Sequence, residues 1–334
     1  MVENPTTTLA IVPNERWSLS VRSLRGVLEQ APQGVELVYV DGGAPEPIET
    51  ELRAIVSRHD GRYVRRDHIV TPSEARNLAL DVSSGEFIVF ADNDVIPEPG
   101  WFEALVTCAV ETGAGAVCPL VTHGVEAGSN TIHHANGEFT IVDGQVLANA
   151  HGHYDESVDE VGALVREPTQ QIEFHSMLVR RSMLEEIGPF DENIWSMGDH
   201  EHLALAAAGA GWDIWFEPAS VVTYLQFVPL DDIDRGYWQL RWSEAWNQQS
   251  IDYLARRWEL DRSVGWLQQI GWWSSQRRME WWPERSPVTR WAGRGFRRLA
   301  GGPSARAALV RRTEERFFCR AGRAELERRE LNRA

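Results

Sequence analysis

Strand-like and helix-like segments alternate through the first half of the chain, and this alternation restricts it to an α/β fold with a mostly parallel sheet and helices on its faces. Thr8 to Val12 reads as a short strand stopped by Pro13, and Trp17, Val21, Leu24 and Leu28 then recur on one helix face. Val35 to Val40 is a second strand, ended by Asp41, Gly42 and Gly43, and Arg62 to Arg65 a weaker third. Thr71, Pro72, Ser73 and Glu74 form a capping box with Pro at the first helical position, so a helix begins there and carries Arg76 and Asn77 until Gly85 ends it. Glu86 to Ala91 is a buried strand, followed by a helix from Trp101 and a strand over Ala114 to Val121.

Asp92, Asn93 and Asp94 stand at the carboxyl end of that buried strand. In open α/β sheets this edge is where ligands bind. Two carboxylates two residues apart can turn oxygens toward one hard cation, and Mg²⁺ or Mn²⁺ is commonly held by one or two carboxylates plus substrate phosphates. An Asp-x-Asp also occurs in ordinary surface turns, so its position gives it weight.

Residues 123–171 are rich in Gly, His, Asn and acids with weak periodicity, which predicts short antiparallel strands and long loops. Phe174 to Val179 is expected as a strand, Ser182 to Ile187 and Asp199 to Ala210 as helices, and Ile214 to Phe216 and Ser220 to Tyr224 as final strands. After Pro229 the character changes. Trp238, Trp242 and Trp246 fall four apart, as on one helix face, and read as core packing by a helix lying against the preceding domain.

Charge divides the chain the same way. There is no Lys; Arg277 to Ala334 holds 16 Arg against 7 acids, whereas the preceding 276 residues hold 17 Arg against 42 acids. An acidic body argues against a nucleic-acid surface. Three cysteines, Cys108, Cys118 and Cys319, have no metal-ligand spacing and suit a reducing cytosol. Met1 to Thr8 shows no basic region followed by an apolar core, and no apolar run reaches bilayer length, so the expectation is a cytoplasmic protein.

Three stretches in order, Val38 to Gly43, Ala75 to Ala79 and Gly85 to Asp94, are followed by Arg180 to Ser182, Gly188 to Glu192, Gly198 and Asp199 before an Ala-rich helix, and Pro218. Together these resemble the family 2 glycosyltransferases with the GT-A fold, over about residues 6–225. The resemblance implies a Rossmann-like GT-A catalytic domain over 1–228, with a nucleotide-sugar-binding half at about 6–122 and an acceptor-binding half at 123–228. Residues 229–334 then form a Trp-rich and Arg-rich helical extension. The implied activity is hexosyl transfer (EC 2.4) from a UDP-, GDP- or dTDP-sugar to a sugar, lipid-linked or small-molecule acceptor, with inversion and with Mn²⁺ or Mg²⁺ on Asp92 and Asp94. A cation held by carboxylates would reconcile an acidic protein with an anionic diphosphate.

Carried over residue by residue, the resemblance implies that Pro13 and Asn14 line the base pocket and that Asp41 accepts from the base or ribose. Arg76, Asn77, Asp92 and Asn93 would lie at the donor diphosphate. Asp199 is the candidate general base, with Glu201 as alternative; its bland reading is a helix N-cap. Where the family often has an acidic residue before this Asp, Gly198 stands here. Where members commonly place a metal-binding His after the last strand, Tyr224 stands here, which leaves the third metal ligand undetermined.

Trp195 is a candidate platform for an acceptor sugar, and His175 a candidate acceptor contact. His133, His134, His151 and His153 lack the spacing of a zinc site and read chiefly as loop histidines, with acceptor contact as the functional alternative. Gln239, Leu240, Arg241 and Trp242 resemble the Gln-x-x-Arg-Trp signature of processive members with one residue missing, so processivity is not inferred. The basic tail is open to three readings: a solvated helix, homodimerisation or another partner contact, and peripheral attachment to anionic lipid at the inner face of the membrane. Two competing functions are a GT-A-like protein that only binds nucleotide or glycan, and a nucleotidyltransferase. The latter is disfavoured because Pro13, Asn14 and Glu15 replace a Gly-rich basic loop after the first strand.

Overall fold

The computed structural model describes residues 5–142, 145–263 and 265–280. Its elements run β1 (Thr7–Val12), α1 (Ser20–Gln30), β2 (Glu36–Gly42), α2 (Glu46–Arg58), β3 (Arg62–Arg66), α3 (Pro72–Val82), β4 (Phe87–Asp92), β5 (Val95–Pro97) and α4 (Trp101–Thr112). There follow β6 (Ala116–His123), β7 (Ile132–His134), β8 (Gly137–Val142), β9 (Gln145–His151), β10 (Glu167–Thr169), β11 (Ser176–Arg180), α5 (Arg181–Ile187), α6 (Asp199–Gly209) and β12 (Ile214–Tyr224). The last described helices are α7 (Arg235–Arg241), α8 (Glu244–Arg257) and α9 (Gly265–Glu280). None of the described helices is long and apolar enough to cross a membrane.

The main sheet has the order β10-β12-β6-β11-β4-β1-β2-β3. Strands β3, β2, β1 and β4 pair in parallel, as the alternating sequence requires, whereas β11 enters antiparallel between β4 and β6 and makes the sheet mixed. Strand β4, flanked on both edges, is buried from Phe87 to Asp92. Val12, Val38, Phe90, Met177 and Phe190 belong to the central core that fixes its register.

Differences from the sequence reading have local causes. Helix α1 starts at Ser20 rather than Trp17, because the N–H groups of Trp17 and Ser18 each donate to Asp234 Oδ1 at 2.8 Å and hold this stretch out of the helix. Helix α2 was not anticipated; only Leu52, Ile55 and Val56 of its 13 residues are buried, too few to stand out as a periodic face. The capping box at Thr71 is present, but α3 ends at Val82. Gly85 serves instead as a close approach, since a Cβ there would lie 2.6 Å from Thr8 N. The two final strands are one strand, β12, whose register shifts between Glu217 and Val221 around Pro218.

The described residues fall into two compact units: those up to Glu192 together with Gly198–Asp234, and Asn193–Met197 together with those from Arg235 to Glu280. The second is helical where described. Trp238, Trp242 and Trp246 are buried, but not on one helix: α7 stops at Arg241, and Ser243 caps α8 by accepting from Trp246 N–H at 3.2 Å. A hydroxyl at that position rewards a new helix start more than continuation of the old one. Apart from residues 277–280 at the end of α9, the Arg-rich tail, with Cys319, lies outside the described residues.

Candidate active site

Several segments of the first unit converge at the carboxyl end of β4. Ser176 pairs with Ala91 in the β11–β4 ladder, and Asp92 N–H donates to the His175 carbonyl at 3.0 Å. His175 thus stands across from Asp92, and side chains opposed across an antiparallel pair share a face. Asp92 is 3% exposed, and Asp94 is fully buried. Asp94 Oδ2 accepts from Asn14 Nδ2 at 3.2 Å, while Asp94 Oδ1 is buried with no hydrogen-bond partner.

Burial pushes Asp92 up to about 7, against the opposing pull of Arg76 and His175. Burial, then the nearby Glu15 carboxylate, lifts Asp94 to about 6. The pocket therefore under-compensates its negative charge, and with one carboxylate oxygen unbonded, these residues fit a hard divalent cation.

Arg76 joins two of the expected site residues. Its Nη2 donates to Asp92 Oδ1 at 3.1 Å, its Nη1 lies 3.5 Å from Asp199 Oδ2, and its guanidinium lies 4.1 Å from the Phe174 ring centroid. Asp199 opens α6 but is not its N-cap. Gly198 is, with φ +99°, a left-handed backbone that explains why glycine replaces the acidic residue often found there. Asp199 is 5% exposed, and neither carboxylate oxygen makes a hydrogen bond, only longer contacts to Arg76 and to His200 Nε2 at 3.8 Å. Glu201 is also buried in the first turn of α6.

Glu173 and His200 were not singled out from sequence. Glu173 Oε1 accepts from the His175 backbone N–H at 3.0 Å and makes a short contact with His175 Nδ1; its Oε2 lies 3.8 Å from His200 Nδ1. Burial alone would lower the His175 imidazolium, but Glu173, followed by Asp92 and Asp94, outweighs it and raises the group to about 9. Burial would raise Glu173, yet His175 and His200 hold it well below the usual carboxylate range. The signal available in sequence was the Glu173-x-His175 pair leading into a strand; it becomes meaningful only once that strand is known to lie antiparallel against β4.

The remaining expected residues divide. Pro13 is buried and Asn14 half-buried beside Asp94. Asn93 is fully buried and uses its whole amide internally: Oδ1 accepts from Asn14 N–H at 3.0 Å, and Nδ2 donates to Arg16 O and Ser20 Oγ, each at 2.8 Å. It ties β4 to the loop after β1, with both amide hydrogens engaged there. Asn77 likewise clamps another loop, donating to Phe190 O and Glu192 Oε1 and accepting from Phe190 N–H, all at 2.9 Å. Asp41 is engaged by Tyr63 Oη at 2.7 Å, by Ala44 N–H at 2.8 Å and by a short contact from Arg65.

Trp195 belongs to the helical unit, where its ring is 1% exposed and meets Trp246 edge-on at 6.1 Å, so the face expected to stack on a sugar is covered. Of the loop histidines, His133 reaches the site, its ring 4.9 Å from that of His175. His153 instead pairs with Glu156 at 3.2 Å. The His151 side chain lies outside what is described.

An α/β sheet with paired aspartates at one strand end and a third aspartate opening a later helix is a GT-A arrangement, and solved structures of that fold superpose on the chain. GalNAc-T7 with UDP, GalNAc and Mn²⁺ matches with a TM-score of 0.53 at 15% identity, over 83% of this chain and 55% of that one. The mannosyltransferase PcManGT from Pyrobaculum calidifontis with GDP-Man and Mn²⁺ gives 0.51 at 16% identity, over 97% and 87%. At such identities the likeness speaks for the fold.

The glycosyl transferase family 2 model matches residues 11–188, and the chain belongs to that family. The pre-mycofactocin glycosyltransferase of Mycobacterium tuberculosis is 26% identical over 193 residues, 58% of this chain and 38% of its own length. The glycosyltransferase AglE of Haloferax volcanii is 25% identical over 182 residues, 54% and 53% respectively. The chain thus spans well under two thirds of the length of either relative.

Proposed function

We propose that this protein transfers a sugar from a nucleotide-diphosphate sugar to an acceptor hydroxyl, with inversion and with a divalent cation, Mn²⁺ or Mg²⁺, held by Asp92 and Asp94. The observation that carries the reading is the placement of Asp92 and Asp199 on one buried guanidinium, Arg76, at the end of β4. Family membership and the fold shared with proteins solved with UDP or GDP-mannose and Mn²⁺ support it.

Each residue then has a task. Asn14 steadies Asp94, and Asn93 fixes the loop carrying Asn14, Glu15 and Arg16. Asp199 accepts the acceptor hydroxyl's proton as that oxygen bonds to the anomeric carbon, while the bond from that carbon to the diphosphate oxygen breaks and the electron pair leaves with the diphosphate. Arg76 holds Asp199 and Asp92 at a set separation, so that attack and departure occur on opposite sides of one carbon. The cation, when bound, neutralises charge on the leaving diphosphate.

A thermal-shift screen of UDP-, GDP- and dTDP-sugars with and without Mn²⁺ identifies the donor. With it, Asp92→Asn and Asp94→Asn are each expected to abolish donor hydrolysis and transfer, as is chelation. Full activity in either variant or in excess chelator refutes the metal role.

A further inference from the structure

The metal site as read from the family is short of one ligand, because Tyr224 occupies the place of a histidine. The structure shows what that phenol does. Tyr224 pairs with Val95 in the β12–β5 ladder, which sets it beside Asp94, and its Oη donates to Glu15 Oε1 at 2.7 Å. The phenol is thereby turned to a carboxylate on the β1 loop, while its ring lies 4.0 Å, centroid to centroid, from the ring of His175.

Three independent features then point the same way. His175 lies one residue beyond the β11–β4 ladder, where its carbonyl accepts from Asp92 N–H, so its side chain falls on the Asp92 face. Its Nδ1 is held by Glu173, and among the described residues its Nε2 makes no hydrogen bond. Asp94 Oδ1 is buried without a hydrogen-bond partner. A carboxylate on one imidazole nitrogen, with the other left for a metal, is the usual outer support of a histidine ligand, since it fixes both tautomer and ring orientation. Buried carboxylates outnumber buried guanidinium groups here, Glu15, Asp92, Asp94 and Glu173 against Arg16 and Arg76, and a divalent cation would take the place of the proton on His175.

We propose that His175 Nε2 supplies the imidazole ligand of the divalent cation held by Asp92 and Asp94, with Glu173 positioning the ring and Tyr224 packing on it in place of the missing ligand. The inference rests on the donor-metal reading above. It differs from an independent cation site on His133, Glu173 and His175, whose ligand atoms lie within 4.8 Å of one another. There, Glu173 would coordinate metal; here, it stays paired with His175 Nδ1.

Mn²⁺ is titrated into the full chain, with and without UDP, and free Mn²⁺ is read by its EPR signal. His175→Ala is expected to weaken binding roughly 10- to 100-fold, Asp94→Asn at least as much, and His133→Ala less than about threefold. Adding Tyr224→His to His175→Ala is expected to restore most of the loss. Pulsed EPR of the wild-type Mn²⁺ complex, which does not depend on any variant folding, is expected to show a directly bound nitrogen that His133→Ala retains. Loss of binding in Asp94→Asn with wild-type affinity in His175→Ala overturns the His175 assignment and leaves the donor-metal reading standing. Equal losses in His133→Ala and His175→Ala with none in Asp94→Asn overturn it in favour of the separate triad. Wild-type affinity in both His175→Ala and Asp94→Asn, or no bound nitrogen in the wild type with Asp94→Asn still defective, overturns it as well, and only the first of these also removes the Asp-held cation.

Discussion

Arg76 donates to Asp92 at 3.1 Å from α3, the helix that leads into β4, and both partners are almost fully buried. A buried charge pair of this kind costs desolvation on both sides, and its geometry matters more than its existence. Because the second Nη lies 3.5 Å from Asp199, removing Arg76 strands two carboxylates at once. Arg76→Leu is expected to destabilise the protein by about 3 to 5 kcal/mol in urea melts. Arg76→Lys keeps the charge but cannot reach both carboxylates with a planar fork; it is expected to melt nearer to wild type and still lose on the order of 100-fold in kcat. Wild-type kcat in Arg76→Lys would show that the bridge does not position the reaction.

Asp199 and Glu201 are separated by kinetics. Both open α6, but only Asp199 approaches Arg76. Asp199→Asn is expected to reduce kcat by about 10² to 10⁴, the usual worth of a general base, with donor affinity little changed. Glu201→Gln is expected to stay within a few fold. The reverse ranking in steady-state assays would move the base to Glu201.

Asn93 is predicted to matter through folding. Its three hydrogen bonds cross-link β4 to the loop after β1, and all lie in the interior. Asn93→Leu, alike in branching but bulkier, leaves Asn14 N–H, Arg16 O and Ser20 Oγ without this partner and is expected to cost about 2 to 4 kcal/mol. Because Asn14 is displaced with the loop, donor affinity is also expected to fall. Asn93→Leu with unchanged melting temperature would disprove the strut.

How much of this was legible beforehand depends on range. The capping box at Thr71, the strand ending in Asp92 and the helix opened by Asp199 are written within a few neighbouring residues, and local chemistry decides them. What brings Glu173 and His175 to the aspartates is a strand inserted antiparallel against β4 from about 85 residues later in the chain, and nothing in the periodicity of Phe174 to Val179 states its direction; His133 arrives separately, on β7 paired to β6. The internal partners of Asn77 and Asn93 were hidden for a related reason. An amide within a recognisable motif looks the same whether its partner is a ligand or the backbone of a distant loop.

The Glu173–His175 pair gives a pH dependence with a definite sign. The folded-state pKa of His175 is raised from about 6.5 to about 9, with Glu173 as the main cause that outweighs burial. Its contribution to stability is fully present below the unfolded value near 6.5 and is lost as pH rises through 9. Glu173 is held low, so its contribution is present above the ordinary glutamate range and is lost as pH falls through its depressed value. Between these limits, near pH 6, the raised His175 contributes on the order of 3 kcal/mol, shared among Glu173, Asp92 and Asp94. His175→Gln can still meet Glu173 with an amide but carries no charge. Thermal unfolding of the wild type and His175→Gln in chelator is therefore expected to show a large gap in Tm at pH 6 that narrows steadily toward pH 9.5. A gap independent of pH would mean that the ring contributes by packing against Tyr224 and His133 rather than by its charge.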